Sequence, residues 1–215
     1  MILVLKNAVA EARGGCLAVE AEHGSWRLCV SGGRAALEAS LDGAELPVDP
    51  QVPLHPSAAL RVLLDVLSSV ADPEWGGGPP LRVAVVGPPG SGKSTLVRRL
   101  LGLPPPAGPT RGPEAHRAVV LGREAEIVDL PGGAPAPEDA GCTVVVAPLD
   151  VYEEPPPARG RAVLVGSRAD LGRRGLLELY AARLRPAAAL ALDLRRAPRW
   201  ELARAVAACA SFNPP

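Results

Sequence analysis

Lysine is almost missing from this chain. It occurs twice, at Lys6 and Lys93, against 21 arginines. A composition pushed that far toward arginine retains lysine where arginine would not fit, so Lys93 stands out before any motif is considered. Aromatic residues are also scarce, with three Trp, two Tyr and one Phe in 215 residues. The core must therefore be Val, Leu and Ala, which a 47% hydrophobic content allows. No apolar run approaches the ~18 residues of a membrane span. Met1–Val9 is short, contains Lys6 and reads as a strand, so no signal peptide is expected. No common lipid-anchor motif stands at either end, and a cytoplasmic location is expected.

An excess of one charge is lacking too. The 23 basic and 23 acidic side chains give a formal net charge of +0, so neither nucleic acid nor an anionic membrane is expected as a partner. Asn and Gln are few and Pro is abundant, at 25 residues. A high-temperature organism and a GC-rich genome explain that bias equally well. The four cysteines are too scattered for a zinc site and are expected to be buried small hydrophobes. Cys16 and Cys29 would face each other in a hairpin, which leaves a disulfide there as an alternative.

What the chain does have is Leu81–Leu101, LRVAVVGPPGSGKSTLVRRLL. Gly87-Pro88-Pro89-Gly90-Ser91-Gly92-Lys93-Ser94 fits G-x-x-x-x-G-K-[ST] at every fixed position. A Val-rich run, Leu81–Val86, precedes it as a buried strand, and Ser94–Leu101 follows with helical spacing. A strand–loop–helix context makes this motif a phosphate cradle. Glycines at 87, 90 and 92, with Ser91, let backbone N–H groups turn toward phosphate oxygens. The positive end of the helix points at the same anion. Lys93 would reach the terminal phosphates, the Ser94 hydroxyl would bind Mg²⁺, and Thr95 continues the cradle.

Around this stretch the chain divides in three. Residues 1–75 read as a small mainly-β module: strands at Ile2–Val9, Cys16–Ala21, Trp26–Val30 and Ala35–Leu41, then a helix at Ser57–Val70. Residues 76–80 read as a linker. From Leu81 to the end, strands alternate with helices, the pattern of a largely parallel sheet covered on both faces. The expected fold is therefore α/β, a three-layer α/β/α P-loop NTPase domain with a small N-terminal mainly-β domain. His23 and His55 carry no expected chemistry, and Trp26 and Trp75 read as core or interface.

Three further segments carry a resemblance. Asp129-Leu130-Pro131-Gly132 is a D-x-x-G at the end of a strand, 36 residues beyond Lys93. Thr110 lies in the loop before it. Leu164-Val165-Gly166-Ser167-Arg168-Ala169-Asp170-Leu171 lines up with a strand-terminal LVGNKxDL. With the phosphate loop, these residues make the segment resemble the Ras/Arf-type small GTPases over about 135 of the 215 residues. The resemblance implies GTP or GDP as the nucleotide and Mg²⁺ held through Ser94, Thr110 and Asp129. It implies a Gly132 amide at the γ-phosphate, and Lys93, Thr110 and Gly132 as the residues that act in hydrolysis. It further implies a guanine site built from Ser167, Arg168, Asp170 and Leu194. Asp170 would accept hydrogen bonds from guanine N1–H and its exocyclic amine, donors that adenine does not offer there. Leu194 would give only its backbone N–H.

The departures from that family matter. Ser167 replaces Asn and can make fewer bonds to the surrounding loops. Arg168 replaces Lys. No Gln follows D-x-x-G to orient water; Gly133 and Ala134 stand there. Asp129 and Ser167 are only 38 residues apart, and GGAPAPEDAG and PLDVYEEPPPARG occupy the places of a second switch helix and a later helix. Prolines forbid long helices in both, so one face of the sheet is expected to be bare and to invite a protein partner. A homodimer is also compatible. The expected activity is slow GTP hydrolysis serving as a molecular switch. Two rivals stay open: an ATP-using kinase or ATPase with Arg111, Arg173 and Arg174 as phosphate clamps, and a scaffold with a vestigial nucleotide site.

Overall fold

The computed structural model describes residues 2–13, 16–22, 24–31, 34–41, 44–46, 80–121 and 123–210. The helix expected at Ser57–Val70 lies outside them, as do nearly all of the linker, His23, His55 and Trp75. The strands are β1 Ile2–Val4, β2 Ala8–Arg13, β3 Cys16–Ala21, β4 Gly24–Ser31, β5 Arg34–Leu41, β6 Ala44–Leu46, β7 Leu81–Val86, β8 Glu114–Val120, β9 Arg123–Asp129, β10 Cys142–Pro148, β11 Arg161–Ser167 and β12 Ala188–Leu192. The helices among the described residues are α1 Lys93–Leu100, α2 Arg174–Leu184 and α3 Arg199–Ala210.

All twelve strands join one sheet in the order β12-β11-β10-β7-β9-β8-β1-β2-β3-β4-β5-β6. From β12 to β9 every neighbour is parallel. The hairpin β8–β9 then reverses direction, and β1 pairs in parallel with the outer edge of β8, Leu3 opposite Val119 and Val4 opposite Val120. From β1 to β6 the pairing is antiparallel throughout. The expected first strand is split: the Leu5 N–H donates to the Ala8 carbonyl at 2.9 Å, and Lys6-Asn7 turns the chain between β1 and β2. Both residues suit a solvated turn better than a strand interior.

Alternate residues of the central strands face two cores. Val83, Val85, Val144, Val146, Val163 and Val165 pack with Leu96, Val97 and Leu100 of α1 and with α3. Each such side chain, fully buried, contributes about 1.5–3 kcal/mol relative to exposure. The opposite face holds Ala84, Val86, Val128 and Val145. It is not bare, contrary to expectation. Residues 130–160 contain no helix, yet Ala136, Ala140 and the half-buried Ala134 and Ala158 of the two proline-rich segments lie on it. Prolines prevent a helix without preventing extended chain from laying small side chains on a sheet. Tyr180 of α2, wholly buried, covers the rest with Leu149 and Leu164.

The cysteines are paired. Cys16 and Cys29 are cross-strand partners and form a disulfide. Cys142 of β10 and Cys209 of α3 form another, 67 residues apart in sequence. Cys142 and Cys209 are buried as expected, at 0% and 4% exposure, whereas Cys16 and Cys29 are only half-buried; the packing of α3 across β10 brings the first pair into bonding reach, which their spacing did not suggest.

Candidate functional site

The phosphate loop leaves β7 at Gly87 and enters α1 at Gly92. Gly92 takes φ +100°, a conformation that favours glycine, and a Cβ there would also press on Leu194 Cδ1 at 2.8 Å. As N-cap it supplies no side-chain cap, and no acidic residue stands in the first turn of α1. The orphan N–H groups of that turn are thus left for an anion. Lys93 is only 6% exposed. Its Nζ donates to the Pro88 carbonyl at 2.9 Å. Burial lowers its pKa, while the carboxylates of Asp129 and Glu153 act in the opposite direction.

Three residues expected at the metal meet beside it. Ser94 Oγ lies 2.7 Å from Thr110 Oγ1, and the Thr110 hydroxyl donates to Asp129 Oδ2 at 3.2 Å. Asp129 closes β9 with 1% exposure, and its Oδ1 is buried without a partner. Two hydroxyls and a carboxylate oxygen with spare acceptor capacity form a hard oxygen donor set, which fits Mg²⁺. Among the described residues no cluster of three or more His, Cys, Asp or Glu forms another metal site.

Gly132 packs on the phosphate loop: a Cβ there would lie 2.6 Å from Pro89 Cα. The Gly133 N–H donates to the Gly87 carbonyl at 3.0 Å, and the Leu130 N–H to that of Val85 at 3.2 Å. Strand pairing of β9 with β7 therefore carries D-x-x-G directly onto the loop.

On the other side of the loop lies a cavity of about 370 Å³. Gly90, Ser91, Gly92, Thr95, Ser167, Arg168, Asp170 and Leu194, all named from the sequence, line it. Leu171, Asp193, Arg195 and Arg196 complete the lining. Its place is set by β11 and β12, whose C-terminal ends lie side by side, Ser167 opposite Leu192. Asp170 is exposed in the turn after β11. Ser167, 1% exposed, donates its hydroxyl to the Ala147 carbonyl at 3.4 Å. Arg168 takes φ +57°, a conformation that costs a non-glycine residue about 1–2 kcal/mol. It is held there by donating to the Gly90 carbonyl at 2.9 Å and to Asp150 Oδ2 at 2.6 Å. The Asp150 carboxyl is held below its ordinary pKa, chiefly by that bond from Arg168. Leu194 is 4% exposed, and its carbonyl accepts from Arg99 at 2.6 Å.

Sequence reasoning missed Asp150 and Arg196 and assigned no role to Arg195. Arg195 and Arg196 follow Leu194 directly and could have been included by adjacency. Asp150 follows β10, 18 residues from Arg168, and nothing in its local pattern singles it out. Arg111 and Arg173, named as phosphate clamps under the kinase rival, are exposed and do not line the cavity.

A glycine-rich turn between strand and helix, a buried lysine beneath it and an oxygen donor set beside it define a P-loop nucleotide-binding domain. Residues 82–153, about a third of the chain, match the family described as 50S ribosome-binding GTPase. The match supports a P-loop GTPase and guanine-nucleotide binding; it ends before Ser167, so it takes in Gly90, Ser91, Gly92 and Thr95 of the cavity lining but not Ser167, Arg168, Asp170 or Leu194. No curated protein matches the chain. No helix of the described residues is long and apolar enough to cross a membrane.

Proposed function

We propose that residues 81–210 form a Ras/Arf-like GTPase domain that binds GTP with Mg²⁺, hydrolyses it slowly and works as a switch read by a protein partner. The observation that carries the proposal is the meeting of Ser94, Thr110 and Asp129 beside buried Lys93. Thr110 sits in the loop between α1 and β8 yet reaches both other residues, which suits a side chain that joins or leaves a metal with the γ-phosphate. Mg²⁺ would offset charge on the β- and γ-phosphates. Lys93 would neutralise the same oxygens, the first turn of α1 would donate N–H groups to them, and the Gly132 amide would face the γ-phosphate. Asp170, at the mouth of the cavity, would accept from guanine N1–H and the exocyclic amine. The cavity lining combines polar residues with the apolar Leu171 and Leu194, which suits a purine.

Slow turnover follows from the side chains after D-x-x-G. Gly133 and Ala134 cannot orient water, so hydrolysis without a partner should stay below roughly one turnover per minute. The matched family is described by ribosome binding. A formal net charge of +0 gives this chain no long-range pull toward RNA, and a protein surface is the partner proposed.

An ATP-using phosphotransferase is less well supported, because the family matched over residues 82–153 is one of GTPases. A scaffold with a vestigial site sits poorly with a complete Lys93–Ser94–Asp129 set. Competition of GTP against ATP for a fluorescent nucleotide decides among the three. The proposal expects GTP to win by tenfold or more and Asp170→Ala to abolish that preference. Victory for ATP, or an unchanged preference in the variant, would overturn the guanine assignment; no Mg²⁺-dependent binding at all would favour the scaffold.

A further inference from the structure

We propose that Asp150 is a positioning residue for nucleotide retention: by holding Arg168 across the phosphate loop, it joins the base-reading turn to the phosphate cradle. This rests on the guanine-nucleotide reading above and extends it to a residue that neither a motif nor the family match brings to notice.

Ser167, at the end of β11, is short, and its hydroxyl is spent on the Ala147 carbonyl within the sheet. It leaves the phosphate loop and the turn carrying Asp170 without a side-chain tie from this position. Arg168 makes the tie instead, through one guanidinium nitrogen to the Gly90 carbonyl at 2.9 Å. One such bond leaves a long side chain free to swing. The other terminal nitrogen is fixed by Asp150 at 2.6 Å, so the planar head is gripped from two directions. A bridging guanidinium that joins a carboxylate to a backbone carbonyl is more restrained than an ordinary exposed ion pair.

Asp150 is itself well anchored. Its chain neighbour Leu149 donates its N–H to the Ser167 carbonyl at 3.0 Å and accepts from the Arg173 N–H at 2.9 Å. Three residues on, the Glu153 N–H donates to the Tyr180 hydroxyl at 2.9 Å. Tyr152 stacks on Tyr180 with ring centroids 5.3 Å apart. Segment 149–153 is thereby tied to both β11 and α2. The Asp150 side chain is 28% exposed against 42% for Arg168, so the carboxylate is the more fixed partner and the guanidinium the one that needs holding. Loss of Asp150 should leave the apolar core untouched while freeing Arg168 from Gly90.

The test uses the full chain and a fluorescent GDP analogue, reading dissociation rate and apo melting temperature for Asp150→Ala, the near-isosteric Asp150→Asn, Arg168→Ala and the double variant Asp150→Ala/Arg168→Ala. Either Asp150 variant should raise GDP dissociation about three- to fivefold, since the pair is partly exposed and solvent screens it. Arg168→Ala should do at least as much, and the double variant no more than Arg168→Ala alone, because Asp150 acts through Arg168. Fully additive losses, a change under twofold in both Asp150 variants, or a fall in apo melting temperature with unchanged release would each overturn the proposal. Wild-type protein and Asp170→Ala run alongside. If the wild type prefers GDP over ADP but the Asp150 variants are silent, only this inference fails; if the wild type prefers ADP, the guanine reading fails and takes the inference with it.

Discussion

Thr110 Oγ1 stands between Ser94 Oγ, at 2.7 Å, and Asp129 Oδ2, at 3.2 Å. The three residues come from the helix after the phosphate loop, the following loop and the end of β9, so their meeting depends on the sheet order. Because Thr110 is the only one of the three outside a helix or strand, it is the one free to leave. Thr110→Ala should therefore weaken the Mg²⁺ dependence of GTP binding by about tenfold and leave GDP binding nearly unchanged. Asp129→Asn should weaken Mg²⁺-dependent binding of both nucleotides, since metal-site carboxylates and their supports are typically worth 10–100-fold. Magnesium titrations with fluorescent GTP and GDP read the difference; equal losses for both nucleotides in Thr110→Ala would remove its proposed switch role.

Lys93 shows what the site costs the fold. Burial lowers its pKa below 10.5, so the folded chain binds that proton less readily than the unfolded chain. Stability of the nucleotide-free protein then rises with pH through the window from the lowered pKa up to 10.5. Lys93→Met removes the buried charge and fills similar space. It should abolish nucleotide binding yet melt no lower than wild type, and its stability should lack that alkaline rise. Differential scanning fluorimetry across the pH range checks this, and a large drop in melting temperature at neutral pH would show Lys93 to be structurally stabilising instead.

Much of this site was legible from spacing because phosphate loops are local: strand, turn and helix are contiguous, and each residue's task follows from its type. The boundaries of β7 were legible for the same reason, as a continuous apolar run. What was not legible depended on distant packing. Cys142 meets Cys209 only because α3 crosses β10. Ala136 and Ala158 cover a sheet face only because proline-rich coil lies flat there. Asp150 reaches Arg168 only because β10 and β11 are neighbours in the sheet. The continuation of the sheet through β1, edge to edge with β8, also had no local signal, since either strand alone reads as an ordinary edge.

Gly132 and Gly133 make a matched pair of tests. A Cβ at Gly132 would lie 2.6 Å from Pro89 Cα and 2.8 Å from Pro89 N, backbone atoms that cannot swing aside. A Cβ at Gly133 meets nothing within 4 Å, although φ is +81°. Gly132→Ala should push D-x-x-G off the phosphate loop, costing about 1–3 kcal/mol of stability and most of the GTP affinity. Gly133→Ala should cost only the ~1–2 kcal/mol of its left-handed backbone and bind GTP almost normally. Comparable GTP affinities in the two variants would show that the Gly132–Pro89 contact is not what docks the two loops.

The N-terminal strands are bound to the nucleotide domain through Arg199 as well as through β1. Its Nη1 donates to Glu11 of β2 at 3.1 Å, its Nε and Nη2 reach the Leu100 carbonyl at the end of α1, and its backbone N–H donates to Glu20. With side-chain exposures of 22% and 23% for Arg199 and Glu11, this is a half-buried network, worth more than a surface pair. Arg199→Ala should lower stability by about 1–3 kcal/mol, and Glu11→Ala in that background should add little. Denaturant unfolding of both single variants and the double variant measures the coupling; additive losses would mean that the two ends are stabilised independently.

The disulfide between Cys142 and Cys209 closes a loop of 67 residues across the centre of the domain. In the chain-entropy account a loop of that length restricts the unfolded state by about 4 kcal/mol, with measured cases spanning roughly 0–5. Both sulfurs are buried, so a reductant should reach them only when α3 lifts from β10. Reduction of the folded protein should therefore be slow at room temperature and should speed up steeply on warming. Cys209→Ala should lower the melting temperature in oxidising buffer, and dithiothreitol should then have no further effect beyond the smaller one from Cys16–Cys29. If wild type and Cys209→Ala melt together in oxidising buffer, the bond contributes nothing and the pair is better regarded as two packed thiols.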